Sequence, residues 1–179
     1  VFLYVLTKKN LDIFCNKLKS NNGIFLSNIP WVFFNRSNFN NYKTVGYMGD
    51  ARVSRGFNKL PCLVDKLSKI SKDFKFIIQY SKVDIPVKEA SDKLFEMAKY
   101  NPNIKIYLKY MDYREFRDTL QNIDIMPILH NAEEINLGNP STIYSSITHQ
   151  IPMTIPSNLK YMKEVLVHKS YEEADTIDN

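Results

Sequence analysis

Thr44-Val45-Gly46-Tyr47-Met48-Gly49-Asp50-Ala51-Arg52-Val53-Ser54-Arg55-Gly56-Phe57 is the stretch on which the reading of this chain turns. Its first five residues form a short run with apolar and β-branched side chains, the pattern of a buried strand. From Phe57 onward, apolar residues recur at helical spacing as Phe57, Leu60, Val64, Leu67 and Ile70, and Pro61 falls in the first turn, where its missing N–H costs nothing. Between strand and helix lies a loop of glycines and charges. The protein has only five glycines, so finding Gly46, Gly49 and Gly56 here marks a place where the backbone must turn tightly or approach a ligand. Arg52 and Arg55 are suited to meeting a diphosphate with charge-assisted hydrogen bonds. The spacing does not match GxGxxG, and GxxxxGK[ST] is absent, which argues against ordinary dinucleotide and P-loop sites. The alternative is a solvated turn whose arginines face water.

Working outward, the alternation of strand and helix continues. Further strands are predicted at Phe74 to Tyr80, Ile104 to Lys109, Ile123 to Leu129 and Pro152 to Ile155. Val87, Ser91, Leu94, Phe95 and Ala98 repeat the helical spacing until Asn101-Pro102-Asn103 ends it, and Tyr113, Phe116 and Leu120 mark a shorter helix. Strands alternating with helices predict a Rossmann-like α/β fold, a doubly wound and mostly parallel sheet. Residues 1–43 read differently, with an Asn-rich aromatic segment, WVFFNRSNFNNYK. They are expected to be the tail of a preceding N-terminal domain plus a linker, with 44–179 forming the nucleotide-binding domain, incomplete at its C-terminus. A start at Val1 and a stop within YEEADTIDN suggest a piece of a longer protein.

An open parallel sheet binds its ligand beyond the carboxyl ends of its strands, so the loops there carry the candidate site residues. After the fourth strand comes HNAEEINLGNPSTIYSSITHQIP, in which Gly138-Asn139-Pro140-Ser141 reads as a turn feeding a helix that begins near Thr142, with Ser141 as its N-cap. Free N–H groups and hydroxyls in such a first turn suit a phosphate, although ordinary capping explains them equally. His130, at the end of that strand, is placed to border a cleft. Tyr110 and Met111 leave the third strand, where a nucleotide base would lie. His149 and His168 read as structural or solvated, and Glu172 and Glu173 as charges on a helix face.

Composition narrows the partners. With 24 Lys+Arg against 19 Asp+Glu, the formal charge of +5 is too mild and too evenly spread to call for nucleic acid, while a phosphate-bearing ligand or peripheral contact with an anionic membrane fits. Cys15 and Cys62 form neither a CxxC nor a Cys/His cluster, which points to a reducing, cytoplasmic setting without zinc or disulfides. No apolar run approaches the roughly 18 residues of a membrane span.

The run Gly49-Asp50-Ala51-Arg52-Val53-Ser54-Arg55-Gly56 resembles the glycine, variable spacer and basic-Gly element after the first strand in the C-terminal domain of group 1 glycosyltransferases, which have the two-domain GT-B architecture. IDIMPIL, followed by GNPSTIYSSITHQIPMTIP, is similar to that family's strand, donor-binding loop, helix and closing G-x-P-V-V strand. Together these elements span most of residues 44–165.

The resemblance implies that this part binds the diphosphate of a nucleotide-sugar donor through Gly49, Arg52, Arg55, Asn139, Ser141 and Thr142. The nucleoside would lie near Tyr110, Met111 and position 145, where Ser145 stands in place of the second Glu of the family's E-x7-E motif. Leu137 falls at the spacing of the first Glu, and Gln150 replaces the usual Gly before Pro152. The resemblance also implies transfer of a hexose-type sugar to a glycan or lipid-linked acceptor, as in lipopolysaccharide synthesis. It implies no metal or other cofactor, and a site completed by an N-terminal domain, so that this piece alone is expected to be inactive. Two other functions compete. One is a non-catalytic nucleotide or phosphosugar module. The other is a response-regulator-like domain built on Asp50, Asp112 and Lys160, which needs an acidic pocket around a divalent metal.

Overall fold

The computed structural model describes residues 43–131, 141–157 and 159, the isolated positions Asp12, Cys15 and Asn16, and the backbones of three short strands, Leu3–Val5, Gly23–Phe25 and Tyr171–Glu173. Leu3–Val5 (β1) and Gly23–Phe25 (β2) pair in parallel as a sheet of their own. The quoted segment opens the larger sheet. Thr44–Tyr47 (β3) is followed by two short 3-10 turns and the helix Leu60–Ile70 (α1), with Pro61 in its first turn as expected. Lys75–Gln79 (β4), Lys88–Tyr100 (α2), Ile104–Tyr107 (β5) and Tyr113–Leu120 (α3) follow. After these come Met126–Pro127 (β6), Ser141–Thr148 (α4), Met153–Ile155 (β7) and finally Tyr171–Glu173 (β8).

All pairings are parallel, in the order β3-β4-β5 on one side and β6-β7-β8 on the other. A parallel bridge from Val45 to Ile125 joins the halves. The strand order is therefore β5-β4-β3-β6-β7-β8, with the direction of winding reversing between β3 and β6, the doubly wound arrangement expected from sequence. Each face carries one core. Val45, Tyr47, Phe76 and Ile78 pack with Leu60 and Val64 of α1 and Leu94 of α2. Met126, Ile128, Met153 and Ile155 pack on the other face with Leu120 of α3 and Ile143 of α4. Alternation along the strands sends successive side chains to opposite cores.

Two glycines are needed at the junction. A Cβ on Gly46 would stand 2.3 Å from Cδ1 of Ile123, so that side chain packs flat on the strand only because position 46 is bare. Gly56 has φ 74°, and a Cβ there would meet the Leu129 carbonyl oxygen at 1.9 Å. The loop after β3 can thus lie directly against the chain leaving β6.

Three elements differ from the sequence reading. The fourth strand, expected over Ile123 to Leu129, is regular only at Met126–Pro127. Ile125 N–H donates to the Thr44 carbonyl and Gly46 N–H to the Ile125 carbonyl; the next donor toward β3 would be residue 127, which is proline and has none. α4 starts at Ser141 itself, one residue early, so its cap position falls outside the described residues and Ser141 is not the N-cap. Glu172 and Glu173 belong to a strand rather than a helix, because their backbone pairs with Thr154 and Ile155 at the edge of the sheet. Among the described residues, no helix is long and apolar enough to cross a membrane.

Backbone conformation yields opposite expectations at two positions. Gly56→Ala forces a left-handed alanine against a carbonyl and should cost about 3 kcal/mol or more of unfolding free energy. Gln150, at φ 55°, follows α4, and Ile151 N–H reaches the Ser146 carbonyl while Gln150 N–H reaches Ile147, the hydrogen-bond pattern of a helix end that favours glycine. Gln150→Gly should stabilise by about 0.5–1 kcal/mol. Urea unfolding of both variants measures the two effects.

Candidate functional site

Once Pro127 has ended the ladder, the carboxyl ends of β3 and β6 diverge, and a cleft of about 280 Å³ opens there. Its apolar base is made by Met48, Met111 and Phe116. Gly49, Asp50 and Arg55 form one wall; Tyr110 to Tyr113 form the opposite one; Ser141 and Thr142 bring the first turn of α4 to its edge. Tyr110 and Tyr113 are largely exposed on the rim. Lys82 Nζ lies 5.3 Å from the centre of the Tyr110 ring, tying the loop after β4 to the loop after β5.

The wall bearing Arg55 is firmly clasped. Asn131 donates its backbone N–H to the Ser54 carbonyl (3.2 Å) and its side-chain amide to the Val53 carbonyl (2.8 Å). From the core side, the Tyr47 hydroxyl donates to the Asp50 carbonyl at 2.8 Å, and burial raises the phenol's pKa. Held this way, Arg55 donates from Nη1 to His130 Nε2 at 2.7 Å. Arginine only donates, so His130 accepts at Nε2 and, as a neutral ring, carries its proton on Nδ1. His130 is buried, and burial together with the neighbouring Arg55 and Lys59 charges pulls its pKa down to about 3. Among the described residues, no carboxylate lies within ion-pair distance of Arg55 and nothing accepts the Nδ1 proton of His130. Among the described residues, the guanidinium at the cleft is thus positioned by a neutral partner.

The expected site residues divide. Gly49, Arg55, Tyr110, Met111, His130, Ser141 and Thr142 meet around one cleft. Arg52 does not line it: its Nε lies 3.5 Å from Asp50 Oδ2 and 4.0 Å from Asp84 Oδ1, ion-pair contacts made without a hydrogen bond. Ser145 does not line it either; its carbonyl accepts the backbone N–H of His149 and lies 2.9 Å from His149 Nδ1, which gives that histidine its structural role. Asn139, His168 and Lys160 fall outside the described residues. Asp112 caps α3, accepting the Glu115 N–H at 2.8 Å, and no cluster of His, Cys, Asp or Glu suited to a metal forms among the described residues, so the acidic pocket of a response regulator is not assembled there.

Gln79 and Pro127 also line the cleft and were not singled out from sequence. For Pro127 the signal was present, since a proline inside an apparent strand marks the end of a ladder. Gln79 offered only a polar residue at the end of an apolar run.

No protein-family model matches this sequence, and no curated protein matches it. Solved structures do. TarM superposes with a TM-score of 0.62 at 19% identity over 87% of this chain. A variant of S. aureus TarM in complex with Fondaparinux, alpha-GlcNAc-glycerol and UDP gives 0.60 at 19% over 85%. The C-terminal domain of a glycosyl transferase group 1 family protein, LpcC from Francisella tularensis, gives 0.54 at 14% over 71%. The chain spans 29% of the TarM chain and 69% of the LpcC domain. At these identities the likeness is one of fold: the chain has the fold of the C-terminal domain of GT-B glycosyltransferases, as the sequence resemblance implied.

The depressed pKa of His130 makes stability depend on pH with a definite sign. The folded value lies below the ordinary 6.5, so below that pH the unfolded chain takes up a proton that the folded chain refuses. The contribution is complete above pH 6.5 and is lost progressively down to about pH 3, with a slope approaching about 1.4 kcal/mol per pH unit. Burial also lowers the pKa of His149, which acts with the same sign. The measurement is therefore a difference: urea unfolding from pH 7 to pH 4 should show a shallower pH dependence for His130→Asn than for the parent chain.

Proposed function

We propose that this chain is the donor-binding part of a glycosyltransferase, with the diphosphate of a nucleotide sugar held at the cleft over the β3–β6 junction. The observation that carries the reading is the Arg55 guanidinium, clasped at the switch point and paired only with a neutral histidine among the described residues. A doubly wound sheet concentrates ligands there. The first turn of α4 adds backbone N–H groups, and the Thr142 hydroxyl is buried at the cleft edge without a partner among the described residues.

Sugar transfer builds negative charge on the departing diphosphate. Arg55 and the start of α4 would stabilise that charge more strongly as the glycosidic bond breaks, an electrostatic contribution to the transition state. The nucleoside would extend toward Tyr110 and Met111. In this proposal a preceding domain supplies the acceptor site, residues 1–43 are its tail and linker, and the acceptor is a glycan or lipid-linked sugar at the inner face of the membrane. No metal is assigned a part in holding the diphosphate. Ser145, turned away from the cleft and without a carboxylate, favours a second reading in which the domain binds nucleotide or phosphosugar without turnover.

Calorimetric titration of UDP, GDP and ADP and their sugar derivatives, without added metal, tests the proposal. One diphosphate should bind most tightly, and Arg55→Ala should weaken it about tenfold or more by removing a charge-assisted contact. Arg52→Ala should have a much smaller effect, because Asp50 and Asp84 already engage that side chain. No binding by any nucleotide, or equal loss in both variants, would count against the reading. Turnover by a longer chain that includes the preceding domain separates a transferase from a binding module.

A further inference from the structure

The cleft is polarised along its length. Its cationic end, with Arg55 and the start of α4, lies over β3 and β6. The other end lies over β4 and β5 and is mostly apolar, with Met48, Met111 and Phe116 at its base. Gln79, the last residue of β4, and Asp112, after β5, are the polar exceptions there, and Asp112 already caps α3. Phe76 and Ile78 enter the core beneath α1 and α2 and Ile77 packs on the opposite face, so strand alternation sends Gln79 to the face of the two methionines. Its side chain is 4% exposed and lines the cleft, so what little of it meets solvent does so there. Among the described residues, its carboxamide makes no hydrogen bond. The amide thus meets the cleft with its hydrogen-bonding positions unfilled from within the described residues, open to water or to a ligand that displaces it.

We infer that Gln79 is a specificity-determining residue that reads the base of the bound nucleotide. The inference rests on the donor-binding proposal, which places the diphosphate at the Arg55 end and leaves the nucleoside to run toward β4 and β5. A carboxamide presents a donor and an acceptor side by side, the pattern that pairs with the edge of a nucleobase. A diphosphate, which only accepts, is served by Arg55 instead. The two residues thus divide the work: Arg55 acts on every nucleotide alike, and Gln79 distinguishes among them.

The test is titration of UDP, GDP and ADP into the parent chain, Arg55→Ala, Gln79→Met and Gln79→Leu, with melting temperatures of all four. Arg55→Ala should weaken all three nucleotides by a similar factor. Both Gln79 variants should weaken the preferred nucleotide by about tenfold and leave the other two nearly unchanged, flattening the base preference. They should do so with a melting temperature close to that of the parent, because the amide makes no hydrogen bond among the described residues and the replacement is of similar size. Unchanged selectivity, equal losses for all three nucleotides, or a fall in melting temperature that accounts for lost binding overturns the inference. A parent chain that binds none of the three overturns the donor-binding proposal and the inference with it.

Discussion

The seam between β3 and β6 is held by very few groups. The Thr44 carbonyl accepts the N–H groups of Asp124 and Ile125, Gly46 N–H donates to the Ile125 carbonyl, and the buried Asp124 carboxylate takes the Thr44 N–H at 2.9 Å. Two opposed features meet there. The strands approach closely enough to make one sheet, which Gly46 permits by letting Ile123 lie flat, and they part at their carboxyl ends, where the cleft opens. Pro127 ends the pairing at that point. Closeness below and separation above are set within a few residues by a missing side chain and a missing N–H.

The cleft inherits its electrostatics from this geometry. Because Gly56 lets the arginine-bearing loop rest on the Leu129 carbonyl, the loop meets the chain leaving β6, and Arg55 meets His130. A carboxylate at that position would pair the guanidinium and offset its charge; among the described residues it is a neutral, buried imidazole that orients it. Arg52, three residues earlier, has the opposite fate between Asp50 and Asp84. Two arginines in one short loop thus perform different tasks, one bracing the loop and one facing the cleft.

Much of the fold was legible in the sequence because apolar periodicity reports burial directly: the spacing of Phe57, Leu60 and Val64, and of Val87, Ser91 and Leu94, corresponds to α1 and α2 and the turns that lead into them. Boundaries were less legible where a non-local partner sets them, as with the short β6. The location of the cleft followed from strand order. The roles within it did not. Nothing local separates Arg52 from Arg55, since Asp84, which helps to hold Arg52, arrives from another loop. That position 145 points away from the cleft depends on the rotation of α4, and the burial of His130 depends on a loop far away in sequence. Gln79 looked like a strand end because its isolation is a property of the folded neighbourhood alone.

The position of β3 bears on how the domain is assembled. It is the first strand of the six-stranded sheet to be synthesised and it lies at the centre, so β4 and β5 can add outward on one edge as they emerge, each joined by a single local crossover. The other edge waits for Asp124 to return to Thr44 across 80 residues, the one pairing in this sheet with a large loop-closure entropy. The cleft straddles that late contact and exists only when both halves have met. A nucleotide spanning from Arg55 to the end of β4 would recognise the completed sheet and not its separate halves, and by mass action it would hold them together.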